Sequence, residues 1–146
     1  MAILNYTTKI KAERTASEIQ EKLAKAKAQA IMSEYDESGV MCAMSFRILS
    51  QHGMLSFRLP VNIDSVFRAI SQDENIPKRL RTKEQAARVA WRITKDWIEA
   101  QLAIVEAEMA DLKEVFLPYM QNQVGITLYQ TLKHNDFKQI TENYED

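Results

Sequence analysis

Lys78, Arg79, Arg81, Lys83, Arg88 and Arg92 crowd into fifteen residues that hold a single carboxylate, Glu84. Side chains of this kind neutralise phosphates, and a helix start adds free backbone N–H groups and a positive dipole end. The stretch is therefore a candidate nucleic-acid-binding surface. Counting Lys95, the region from Ile76 to Lys95 carries seven cations against one carboxylate, net +6. The region from Asp96 to Leu117 reverses the sign. There Asp96, Glu99, Glu106, Glu108, Asp111 and Glu114 oppose Lys113, six against one, net −5. A basic start and an acidic end oppose a helix dipole by about 0.3–1 kcal/mol per charge. Three readings compete: antiparallel pairing with the same helix of a second subunit, a phosphate site at the basic start, or a solvated face whose Arg and Lys stems cover apolar neighbours.

Other chemistry is sparse. His52 and His134 are the two histidines, one in a turn and one near the tail, so neither HxH nor HExxH spacing exists. The single cysteine, Cys42, rules out an internal disulfide and a CxxC site and fits a reducing cytoplasm. It alternates with Met44 and Phe46, which reads as core. No Walker, GxGxxG or GxSxG pattern occurs. Asp96, Glu99 and Glu106 could share a helix face as carboxylate ligands for Mg²⁺, but a solvated acidic face explains them more simply. These absences point to a non-catalytic protein without cofactor or metal.

The elements that must position the cations are legible from periodicity. Thr82-Lys-Glu-Gln85 is a capping box that opens a helix reaching Leu117, with Pro118 ending it. One apolar stripe is Ala86, Ala90, Ile93, Trp97, Ala100, Ile104 and Ala107. A second is Trp91, Ile98, Leu102, Val105, Met109, Leu112 and Phe116. The two leave more than half the circumference apolar, as in a central helix covered on both sides. Unbroken, it would run ~50 Å, beyond the ~30 Å of a small domain. Either it breaks or its end packs on another subunit, so self-association through this helix is expected. Glu108 and Asp111 stand where the first stripe calls for hydrophobic residues, which places the stripe's exit from the core there.

Upstream, Ile3 to Thr7 reads as a strand and Thr15-Ala-Ser-Glu18 as a capping box opening a helix to about Ala28. A three-stranded meander follows: Ala30–Tyr35, Val40–Ser50 and Met54–Pro60. Cys42, Met44, Phe46 and Ile48 share a face with Leu55, Phe57 and Leu59, leaving Arg47 and Arg58 on the outer one, where they are expected to support the basic stretch in binding nucleic acid. A turn at His52-Gly53 would set these two arginines directly opposite; a loop at Gln51-His52 would stagger them. Asn62 caps a short helix, Pro77 marks a polar loop, and a last short helix carries Leu128, Tyr129 and Leu132. The expected fold is α+β, a small antiparallel sheet of three or four strands packed by helices with one long central amphipathic helix. Residues 1–134 form one domain. Residues 135–146 form a polar tail, with Phe137, Ile140 and Tyr144 available to dock back.

Length, an apolar share of 46% and a charged share of 27% fit one soluble globular domain. A net charge of −1 confines any nucleic-acid affinity to a local patch. Neither a signal peptide nor an apolar run of the ~20 residues needed to span a membrane is evident. The order α-β-β-β-α from Thr15 to Ser71 resembles that of double-stranded-RNA-binding domains. That family places lysines at the start of the second helix, where this chain has Asn62-Ile-Asp-Ser-Val, so its defining contact is missing. A closer resemblance is to small uncharacterised proteins of phages and mobile elements of Gram-positive bacteria. It rests on Ile3-Leu-Asn-Tyr-Thr-Thr8, Ser45-Phe-Arg47, Phe57-Arg-Leu-Pro60, Ala87-Arg-Val-Ala-Trp-Arg-Ile93, Lys95-Asp-Trp-Ile-Glu99, Phe116-Leu-Pro-Tyr119 and Thr127-Leu-Tyr129. That resemblance brings no assigned activity. It implies a phage accessory protein that acts by binding DNA or RNA, or a host protein such as a component of a defence system.

Overall fold

The cations of the basic stretch sit on a frame whose centre is one helix. The computed structural model describes residues 2–142. Helix α1 (Ala12–Lys25) leads into an antiparallel sheet of strands β1 (Ala30–Tyr35), β2 (Met41–Ser50) and β3 (Gly53–Arg58). Helix α2 (Ile63–Ser71) and a 3₁₀ turn (Lys78–Leu80) precede the long helix α3 (Lys83–Glu106). Helix α4 (Leu112–Phe116), a second 3₁₀ turn (Leu117–Tyr119), strand β4 (Met120–Gln121) and helix α5 (Leu128–His134) complete the chain. The fold is α+β, with strand order β1-β2-β3-β4 and helices on one face of the sheet.

Alternation in β2 and β3 sorts the two faces. Phe46 pairs with Phe57 and Ile48 with Leu55 on the core face, where the two Phe rings stack at 5.1 Å. The register Ser50↔Gly53 makes Gln51-His52 the turn, so Arg47 faces Ser56, Arg58 faces Ser45, and the two arginines are staggered. A register shift between Glu34 and Tyr35 inserts one extra residue into β2. This bulge turns Met41 into the core beside Met44 and leaves Cys42 half-buried, its Sγ 3.6 Å from the Glu34 carbonyl. The simple alternation that puts Cys42 in the core fails for that reason.

Helix α3 is covered on two sides. Ala87, Trp91 and Ile98 pack with α1 and the sheet, whereas Ala86 packs with Ile70, Ile76, Phe67, Ile3 and Tyr6. Trp91 is fully buried and its indole N–H donates to the Met41 carbonyl at 3.0 Å. Thr82 caps the helix as expected, accepting from the Gln85 backbone N–H at 3.1 Å. The Gln85 side chain does not reach back to close a capping box. It is buried and its amide donates to the carbonyls of Tyr6 and Thr8 at 2.8 and 2.9 Å. Those bonds hold residues 4–7 as a turn with Asn5 at φ 66°, so the expected strand Ile3–Thr7 is absent. Likewise Thr15 caps nothing: α1 starts at Ala12, and Thr15 is buried within it.

The long helix breaks after Glu106. The Glu108 N–H donates to the Val105 carbonyl and the Met109 N–H to that of Ile104, with Glu108 in the left-handed region at φ 61°. This is a Schellman cap with glutamate at the position that favours glycine. Asp111 and Glu114 then form a capping box that starts α4. Continued straight, the helix would carry Phe116 ~15 Å past Glu106. Turned back, Phe116 is fully buried, with its ring edge-on to Phe46 at 5.5 Å and to Trp97 at 5.5 Å. Glu108 and Asp111 interrupt the apolar stripe because they build this corner. A left-handed residue other than glycine costs about 1–2 kcal/mol, partly offset by glycine's greater chain entropy. Glu108→Gly is therefore expected to raise the unfolding free energy by up to about 1 kcal/mol. Urea denaturation checks this; a destabilised variant would contradict the cap assignment.

At the C-terminal end Thr127 and Gln130 form a capping box for α5. Phe137 docks against Tyr129 at 5.9 Å, whereas Ile140 is exposed. Tyr144 lies outside the described residues.

Candidate nucleic-acid interface

The reversed charges of α3 are met first by α1. Glu18 accepts from Arg92 at 3.2 Å and lies 3.5 Å from Lys95 Nζ. Glu99 pairs with Lys95 on its own helix and with Lys22 of α1 at 3.2 Å. Asp96 accepts from the Asn5 side chain at 2.8 Å. The middle of α3 thus has its charges answered within one chain rather than by a second α3. Desolvation pushes the Glu18 carboxyl up, but Lys95 and Arg92 together hold it net below its ordinary value. The Lys95 hydrogen bond, aided by Lys22, does the same for Glu99 against desolvation. Groups with lowered values stabilise the fold above the ordinary carboxylate range and lose that contribution as pH falls through their folded values. Wild-type protein should therefore lose thermal stability on acidification more steeply than Glu18→Gln. Parallel pH profiles of melting temperature for the two would show that the network contributes nothing.

The cations of the candidate patch divide into four groups. Arg92 belongs to the α1–α3 network. Arg81 is half-buried and its Nε donates to the Ile76 carbonyl at 2.8 Å, closing the loop before α3. Arg47 and Arg58 lie on the sheet face opposite the helices, where Arg58 pairs with Glu34 at 2.8 Å. Those four do not join one surface with the helix start. Arg79 and Arg88 line one hollow there and Lys83 and Arg88 a second, with Lys78 on the 3₁₀ turn beside Arg79. Lys78 and Arg79 are exposed on the 3₁₀ turn, and Lys83 lies 5.9 Å above the Phe67 ring. Arg88 is braced by Glu84 at 2.7 Å and by the Gln85 side-chain Oε1 at 3.2 Å.

Two hollows flank Arg88. A smaller one of about 320 Å³ is lined by Thr7, Thr8, Lys9, Arg79, Leu80, Gln85 and Arg88, three cations with no carboxylate. A larger open cleft of about 830 Å³ lies where the starts of α1, α2 and α3 converge. There Lys11, Lys83 and Arg88 meet Glu13, Asp36, Asp64 and Glu84, a mixed lining that gives an anion no net attraction. Lys9 and Lys11 escape a sequence reading because they sit more than 60 residues before the patch. The Gln85 clamp on Tyr6 and Thr8, the Asn5–Asp96 bond and the packing of Ile3 and Tyr6 on Ala86 bring that loop to α3.

Among the described residues no group of three or more His, Cys, Asp or Glu side chains is placed to hold a metal ion. No helix among them is long and apolar enough to cross a membrane. Comparison of the chain with known protein families, curated proteins and solved structures finds no match.

Proposed function

We propose that this chain is a non-catalytic, cytoplasmic accessory protein of the phage type that binds nucleic acid through Lys9, Lys78, Arg79, Lys83 and Arg88. The observation that carries this reading is the carboxylate-free hollow at the start of α3, where Lys9, Arg79 and Arg88 surround the hydroxyls of Thr7 and Thr8. Cations and hydroxyls of this kind contact phosphate and sugar and position a strand without reading its sequence. Affinity should be modest and strongly salt-dependent, falling by about 0.9 log units per log unit of salt for each phosphate neutralised on duplex DNA. Fluorescence anisotropy with short duplex and single-stranded DNA and RNA across a salt series tests it. Binding that ignores salt, or no binding at low salt, overturns it.

A second reading, a protein-binding inhibitor of a host factor, draws on the uncovered sheet face. Met32, Leu49 and Met54 are 57%, 60% and 42% exposed there beside Arg47. Stoichiometric capture of one host protein, lost on Leu49→Lys, would favour it over nucleic acid. Self-association through α3 is the least supported partner reading, because α1 takes the charges that a second α3 would otherwise meet.

A further inference from the structure

We propose that the outer edge of β1 pairs antiparallel with the same edge of a second copy of this chain, joining two four-stranded sheets into one. Strand β1 ends the sheet, and among the described residues no strand pairs with its outer side. An edge strand presents a row of unpaired N–H and C=O groups, which folded proteins commonly guard with lysine, proline or an outward twist. Ala-Ile-Met-Ser-Glu-Tyr contains neither lysine nor proline. Its bulge faces β2, not the open side.

The side chains on the outer face select both the occupant and the register. Ala30, Met32 and Glu34 of β1 share that face with Ala43, Ser45, Arg47 and Leu49 of β2. A two-fold axis at Met32 sets Met32 against its own copy and Ala30 against Glu34 of the partner subunit. Arg47 lies beside Ala30 in the sheet. In the joined sheet it would therefore stand two strands, about 10 Å, from that glutamate, with only the alanine methyl between them. A reach of this kind already exists within one chain. Arg58 of β3 closes on Glu34 of β1 at 2.8 Å across β2, whose intervening residues are the small Ala43 and Ser45. Arg58 engages Oε2 of Glu34, and among the described residues no hydrogen bond to its Oε1 is made. Arg47 is exposed and has no ion-pair partner among the described residues. One copy thus offers an unanswered arginine and the other a carboxylate oxygen, and the two-fold makes the pair twice. Exposed Met32 is covered in the same step. Shifting the axis to Ser33 would set Met32 against Glu34 and lose both matches.

Sedimentation velocity of the full chain from low micromolar to near-millimolar concentration tests the proposal, with far-UV circular dichroism checking the fold of each variant. Wild type should show a monomer–dimer equilibrium. Met32→Lys places two ammonium groups face to face at the axis and should weaken the dimer at least about tenfold. Arg47→Glu, at an exposed site where folding is not at risk, should weaken it as well by facing glutamate with glutamate. A wild type that stays monomeric overturns the proposal. So does a dimer that both variants leave intact, which would place the interface elsewhere, on α3 for instance. A dimer weakened by Met32→Lys but not by Arg47→Glu overturns the Met32-centred register.

Discussion

Trp91→Ala should cost about 3–5 kcal/mol of unfolding free energy, the range for deleting a large buried aromatic side chain. Trp91 is fully buried in the main core, packed with residues of α1 and the sheet. Its indole N–H also satisfies the Met41 carbonyl, which the bulge in β2 holds inside the core. Truncation therefore opens a cavity and strands a buried acceptor together, the second adding about 1–3 kcal/mol where water cannot enter. A total of this size approaches the 5–15 kcal/mol that holds a typical domain folded. Urea denaturation followed by far-UV circular dichroism would show the loss. Trp91→Phe separates the two parts, since it keeps most of the volume and removes the donor. Trp97→Ala should cost less, because Trp97 is half-buried and meets Phe116 and Tyr119 edge-on near the surface. If both tryptophans cost the same, the core is not centred on Trp91.

Alanine at Arg79 and Arg88 together should flatten the salt dependence of duplex DNA binding by about two units, one for each phosphate contact removed. At low salt the affinity should fall alongside it. The contrast with Arg81 and Arg92 gives the experiment its power. Arg81 serves the Ile76 carbonyl and Arg92 serves Glu18. Alanine at those positions should lower thermal stability while leaving the salt slope of the folded protein nearly unchanged. Lys9→Ala should behave as Arg79→Ala does, although the two residues are far apart in sequence, because both line one hollow. If Arg92→Ala flattens the slope as much as Arg79→Ala, the binding surface follows the whole basic run and not the hollow.

The α+β class, the meander and the start of the long helix were all readable from the chain, because each rests on local spacing. Alternation in Met44–Ile48 and Leu55–Leu59 assigns faces by the two-residue period of a strand, failing only at the bulge by Cys42, and Thr82 marks a helix start by its own hydroxyl. Net charge along the chain likewise shows where cations are dense. What a cation does depends on what stands opposite it, and that is a long-range property. Arg79, Arg81, Arg88 and Arg92 look equivalent in sequence, yet Glu18 takes Arg92 and the Ile76 carbonyl takes Arg81, while Arg79 and the Glu84-braced Arg88 line the hollow. The corner after Glu106 was legible only as an alternative, from the helix's excess length and from Glu108 and Asp111 in the apolar stripe. Every residue from Lys83 to Phe116 suits a helix locally, and the break follows from the gain in burying Phe116 between Phe46, Phe57 and Trp97. Gln85 is the clearest case. By local rules it belongs to a capping box, but two buried carbonyls of the N-terminal loop need its donor more. Sequence alone determined the meander, the start of the long helix and the sign of the charge along it. The tertiary structure decided which charges are spent inside the fold, because burial and pairing bring together residues that no local spacing relates.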